Sequence, residues 1–114
     1  MTGGNSGIGK ATAMELARQG CIVVIGARDA AKSEAAVQEI RRKAKQEQVF
    51  QFPLDLGSRE SIREFTANIE WERVDFLVNN AGVMSPPTRR STKDGNELQF
   101  GTNHLGHFYL THLL

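Results

Sequence analysis

Residues 2–9 read Thr2-Gly3-Gly4-Asn5-Ser6-Gly7-Ile8-Gly9, with only Met1 ahead of them. Gly3, Gly7 and Gly9 set a Gly-x-x-x-Gly-x-Gly spacing, which differs from the Gly-x-Gly-x-x-Gly of the common dinucleotide fingerprint. The physics is shared. Glycine accepts positive φ angles and lets the backbone come close to a diphosphate. A helix beginning near Ile8 would aim its free N–H groups and positive dipole end at the same anion. Asn5 and Ser6 can add hydrogen bonds. A glycine cluster is also an ordinary turn signal, so its surroundings must decide.

Those surroundings alternate helix and strand. Residues 10–19 predict a helix with Ala11, Met14, Leu16 and Ala17 on its apolar side and Gly20 as its stop. Cys21 reads as a small buried hydrophobe, and Ile22 to Ile25 as a strand buried on both faces. Asp29 is placed to cap a second helix running to about Lys45, with Ala36, Val37 and Ile40 inward. Arg41, Arg42, Lys43 and Lys45 suit the negative end of that helix and read as a solvated face.

Val49, Phe50 and Phe52 form a short strand ending at Pro53. Ser58 caps a third helix in which Ile62, Phe65 and Ile69 recur at helical spacing, and Trp71 packs at its end. Asp75 to Asn79 predict another buried strand. A loop with Pro86 and Pro87 follows, then a long helix from about Asn96 to the last residue. The alternation predicts an α/β fold, a partial Rossmann-type doubly wound parallel sheet, with residues 1–114 as one partial nucleotide-binding domain. A glycine turn of this kind normally follows a central strand. The reading therefore expects that strand before Thr2 in a longer polypeptide, and the sheet lacks it here.

Bulk properties exclude several classes. A net charge of +1 gives no basic excess for nucleic acid. One cysteine forms no internal disulfide, and no metal-type Cys/His spacing occurs. No wholly apolar run is long enough to span a bilayer. A rival lies in Gly4 to Ala11, which nearly matches the phosphate loop Gly-x4-Gly-Lys-Ser/Thr of nucleoside triphosphatases. Ala11 has no hydroxyl for magnesium, and Thr12 comes one residue late, rotated about 100° around the helix.

Cofactor preference is read after the second strand, at Gly26-Ala27-Arg28-Asp29. An acid there would accept a ribose 2′-hydroxyl and favour NAD. Ala27 offers no acceptor, whereas Arg28 can grip a 2′-phosphate, which favours NADP over NAD. Asp29 reads as the helix cap.

The run Thr2 to Gly9, the pair Asp55-Leu56, the turn Asn79-Asn80-Ala81-Gly82 and Asn103 within Asn103-His104-Leu105-Gly106-His107-Phe108 stand in one order. Together they resemble the short-chain dehydrogenase/reductase family. Asn80 to Met84 and Asn103 to Leu114 look like its retinol dehydrogenase and WW-domain oxidoreductase branch. The resemblance covers nearly the whole chain but about the front half of the family's domain. It implies that Gly3, Asn5, Ser6, Gly7, Ile8 and Gly9 hold a diphosphate and Arg28 the 2′-phosphate. It further implies that Asp55 and Leu56 meet adenine, that Asn80, Ala81 and Gly82 line the ribose, and that Asn103 is the active-site asparagine. An asparagine inside a helix is a poor helix former, which fits a functional reason for it.

His104, His107 and His112 lack a further ligand or a partner carboxylate and read as surface or core residues. The family's hydride chemistry uses a Tyr-x-x-x-Lys pair. The one tyrosine, Tyr109, has Leu113 where that lysine would stand. The resemblance thus implies a fragment of an NADP-dependent oxidoreductase acting on a small-molecule alcohol or carbonyl, retinoid- or steroid-like. Its catalytic pair is expected beyond Leu114, and these residues alone are expected not to turn over substrate. The alternative is a non-catalytic truncated isoform acting as a cofactor-binding or interaction module. A second copy of the chain is among the partners considered.

Overall fold

A computed structural model describes residues 1–114. The chain divides into two compact units, Met1–Pro53 with Val78–Ala81, and Leu54–Leu77 with Gly82–Leu114. The fold is α/β with a parallel sheet and helices.

The first unit runs α1 (Gly7–Arg18), β1 (Val23–Ala27), α2 (Ala30–Ala44) and β2 (Val49–Pro53). The strands pair in parallel, with Val23 opposite Val49 and Ala27 opposite Pro53. Ala13, Ala17, Val23, Ile25, Val37, Ile40 and Val49 form one core. On α1 the buried residues are Gly9, Ala13 and Ala17, four apart on one stripe, so small side chains let the helix lie close. Ala11, expected on that face, is exposed, and Met14 and Leu16 pack at the margin.

Local signals set the helix ends. Asp29 caps α2, its carboxylate accepting the Lys32 N–H at 2.9 Å, and Lys45 closes the helix at φ +53. Gly20 turns the chain out of α1 at φ +86. Three further expectations in this unit need correction. Strand β1 begins at Val23, and Ile22 is 47% exposed because it precedes the first ladder pair. Cys21 is half-buried against the core edge. Arg41 is not merely solvated, since its Nε and Nη2 donate to the Val49 carbonyl at 3.1 and 2.7 Å, tying α2 to the start of β2.

The buried strand expected over Asp75–Asn79 does not form, and Phe76 is 75% exposed. A strand is made by repeated ladder bonds with a neighbour. Met1 to Gly3 do lie along β1, with the Gly26 N–H donating to Met1 O and the Gly3 N–H to Gly26 O, each at 2.9 Å. On their other side Thr2 N–H donates to Val78 O at 3.0 Å, and the chain then turns away at Gly3. One bond does not make a strand.

The second unit holds α3 (Arg59–Ala67), capped by the Ser58 hydroxyl, and a final helix, α4, in three parts. Leu98–Phe100 and His107–Leu113 are α-helical, and Gly101–Gly106 between them is wound as a π-helix. Ile69, expected on α3, falls beyond its end. Ile62, Phe65 and Leu110 are buried. Gly106 comes so close to Leu56 that a β-carbon there would overlap the Leu56 carbonyl oxygen. No helix is long and apolar enough to cross a membrane.

Candidate functional site

In the first unit the glycine turn is held from behind by Thr2. Its hydroxyl oxygen accepts the N–H groups of Asn80 at 3.0 Å and Ala81 at 2.9 Å. Asn80 answers through its side chain, donating to the carbonyls of Thr2 at 3.0 Å and Gly3 at 3.2 Å. Gly3 and Gly9 have no room for side chains, because a β-carbon on Gly9 would overlap Gly3 O and stand 2.5 Å from Asn80 Nδ2. The structure therefore brings Gly3, Gly9, Asn80 and Ala81 together.

The front of the turn is left open. Ser6 is the N-cap of α1 yet makes no side-chain cap bond, and the first bond into the helix is Lys10 N–H to Ser6 O. The N–H groups of Gly7, Ile8 and Gly9 are thus left unpaired at the positive end of a helix of 12 residues. Gly7 sits at φ +51 with nothing within 4 Å of its β-carbon position. Ile8 is 82% exposed, so the helix opens into free space. Asn5 donates from Nδ2 to Ser33 Oγ at 3.1 Å, which fixes the side of the turn to α2.

The other phosphate reading loses its lysine here. Lys10, at the P-loop lysine position, is bound to Glu39 at 2.8 Å. Its ammonium and that of Lys43 lower the Glu39 carboxyl to about 2.

Arg28 follows β1 and is exposed, paired with no carboxylate. Asp29 spends its Oδ1 on the α2 cap, and Ala27 is a buried alanine. The end of β1 therefore presents a free guanidinium rather than a free acid. The residues present fit the diphosphate of a nicotinamide cofactor: open amides at a helix start and a steric cradle behind them.

In the second unit Asp55 is half-buried, its Oδ1 accepting the Gly57 N–H at 2.9 Å, and Leu56 is 5% exposed. Gly82 lies beside Asn103, whose Oδ1 is 3.5 Å from the glycine's β-carbon position. Asn103 grips Val83 at two points, accepting its N–H and donating to its carbonyl, both at 2.8 Å. His107 places Nδ1 at 2.9 Å from the Asn103 carbonyl oxygen. A carbonyl only accepts, so Nδ1 carries the proton. His104 and His112 are exposed, and no cluster of three or more potential metal ligands occurs. The Tyr109 hydroxyl accepts from Arg63 Nη1 at 3.3 Å. Glu97 caps α4, and the Phe100 and Gln99 N–H groups hold its carboxyl below the usual range.

Two contributors escaped the sequence reading. Thr2 was legible only as a turn residue, although a hydroxyl directly before Gly-Gly is an acceptor set against the turn. Gln99, which accepts the Ser85 N–H at 3.0 Å, carried no sequence signal.

Comparison with known proteins gives the family. The short chain dehydrogenase family matches residues 1–114. Human retinol dehydrogenase 13 is 55% identical over 116 aligned residues, covering 100% of this chain and 35% of that protein. A crystal structure of an uncharacterized protein from Mycobacterium paratuberculosis superposes with TM-score 0.87 at 46% identity, covering 99% of this chain and 39% of that one. An alcohol dehydrogenase from the archaeon Thermococcus sibiricus, complexed with 5-hydroxy-NADP, superposes with TM-score 0.80 at 30% identity, covering 99% and 49%. The chain spans about a third of the length of the curated relatives it matches. Matched by the family over its whole length, the chain belongs to the short chain dehydrogenase family.

Proposed function

We propose that the chain binds NADP in preference to NAD and belongs to an oxidoreductase that moves a hydride between that cofactor and an alcohol or carbonyl. The observation that carries the reading is the uncapped start of α1, where Gly7 leaves three amides open. Gly3, Asn5, Ser6, Gly7, Ile8 and Gly9 would cradle the diphosphate, and Asn80 and Ala81 hold that cradle in shape. Arg28 would take the 2′-phosphate through its paired N–H donors. Asp55 and Leu56 are assigned to adenine, Gly82 to the ribose and Asn103 to positioning at the reacting end, as in the family. When bound, the nicotinamide supplies or accepts the hydride.

The chemistry of this chain's own residues is binding and orientation. Open amides meet the anion without first losing an internal partner, and the helix dipole favours its charge. The arginine adds a charge-assisted contact that NAD cannot use. The complexed NADP compound named for the Thermococcus sibiricus relative supports this preference, and the retinol dehydrogenase relatives support an apolar alcohol or aldehyde as substrate.

Equilibrium titration with NADPH and NADH tests the proposal. NADPH is expected to bind more tightly, and Arg28→Ala to weaken NADPH about tenfold, on the order of 1.4 kcal/mol, with NADH unmoved. Equal weakening of both would remove the arginine's role, and no binding of either nucleotide would remove the function.

A further inference from the structure

Helix α4 departs from ordinary winding around Asn103, which lies inside the π-wound stretch Gly101–Gly106. In an α-helix each carbonyl accepts the N–H four residues on. Here the His107 N–H donates to His104 O, so it does not serve the Asn103 carbonyl. The His107 ring does so in its place, with Nδ1 at 2.9 Å from Asn103 O. A side chain thus supplies the donor that the winding withholds.

The ring is well placed to hold its neighbour. His107 is 7% exposed, and its own carbonyl accepts the Thr111 hydroxyl at 2.7 Å, which ties down the turn that carries it. The other two histidines of the helix are exposed, and the His104 ring lies 5.2 Å from that of Phe100. A buried polar ring costs free energy unless it is bonded, and an apolar side chain would fill the same space without that cost. Asn103 is therefore fixed at both ends. His107 holds its carbonyl, and its amide accepts the Val83 N–H and donates to the Val83 carbonyl, both at 2.8 Å. Oδ1 and Nδ2 lie in one plane, so the amide meets both Val83 groups only from a narrow range of backbone directions. Stretches of π winding are rare and occur frequently at functional sites.

We propose that His107 is a positioning residue for Asn103: its imidazole fixes the Asn103 backbone inside the π turn and so aims the Asn103 amide at Val83. The role in a reaction rests on the oxidoreductase reading, in which Asn103 serves the reacting end. His107 acts through Asn103 and needs no contact with cofactor or substrate.

Long-range proton–nitrogen NMR of the full chain reads the tautomer directly, and His107→Asn identifies which of the three imidazoles is in question. The neutral His107 ring is expected to carry its proton on Nδ1. His107→Leu keeps the bulk and removes the donor. It is expected to speed exchange of the Val83 amide about fivefold and to release the Asn103 side-chain amide protons to fast exchange, with α3 still protected. His107→Asn places an N–H donor where Nδ1 stood and should restore both. In an Asn103→Leu background, His107→Leu should add nothing at Val83, because its effect passes through Asn103. A neutral ring protonated on Nε2, unchanged Val83 exchange in His107→Leu, or additive effects in the double variant would each overturn the proposal. The tautomer is read on the unaltered chain and so decides even where His107→Leu does not fold. Failure of both NADPH and NADH to bind overturns the oxidoreductase reading instead, and with it the reaction that the contact would serve.

Discussion

The β-carbon of a residue at position 3 would stand 2.9 Å from the Cα of Ala81, inside contact distance. Gly3 also needs φ +64, so a substitution there meets two costs at once. Gly3→Ala is expected to destabilise the fold by about 2–5 kcal/mol in urea titration, combining left-handed strain and overlap. Gly20→Ala is the control, with φ +86 but nothing within 4 Å, and should lose only about 1–2 kcal/mol. Equal losses would mean that the approach of Ala81 is not what requires glycine.

Thr2 is 1% exposed and its hydroxyl accepts two backbone N–H groups. Thr2→Val keeps the shape and removes the acceptor, so a loss of about 1–3 kcal/mol is expected from the orphaned donors. Thr2→Ser, which keeps the hydroxyl, should recover most of it. Hydrogen exchange at Asn80 and Ala81 reads the same change locally.

Asn103 replaces with one side chain the two bonds that a strand neighbour would give Val83. Asn103→Leu is expected to leave α3 intact, to speed exchange of the Val83 amide at least tenfold, and to cost about 1–3 kcal/mol. If Val83 keeps its protection, the amide grip is not what orders that loop.

Glu39 lies between Lys10 and Lys43, at 2.8 and 2.7 Å, and its carboxyl is lowered from 4.5 to about 2. A carboxyl depressed on folding contributes stability above its unfolded value, and that contribution is lost as pH falls through the folded one. Stability should therefore decline between pH 4.5 and about 2, and Glu39→Gln should flatten the curve within that window. The pair is solvent-accessible, so added salt should shrink the difference. An identical acid profile in the variant would remove Glu39 from the account.

The sequence made legible whatever is decided locally. Asp29 and Ser58 are short acceptors ahead of helical periodicity, and both cap the helices expected of them. The β-branched run before Gly26 and the Val49–Pro53 stretch pair as strands because each suits a buried ladder. What depends on distant partners was not legible. Asp75–Asn79 has strand composition, yet a strand needs a ladder of backbone bonds, and the bond from Thr2 N–H to Val78 O does not extend into one. The Arg41 bond to Val49 spans the α2–β2 connection, and a cationic helix end looks the same with or without it. In the first unit the glycine spacing announced a turn, whereas the Thr2 brace behind it came from contacts 78 and 79 residues away.

Gly101–Gly106 has a consequence for how this chain can change over evolutionary time. A π-wound stretch carries more residues per turn than an α-helix, and each α residue advances by about 100°. Over the same rotation the stretch therefore takes up one residue more than ordinary winding would, so deleting one residue there would let α winding resume with His107–Leu113 still facing the same way. Leu110 would keep its place in the interior. The wide turn is thus a place where descent can add or remove a single residue while the buried face beyond it stays where it is.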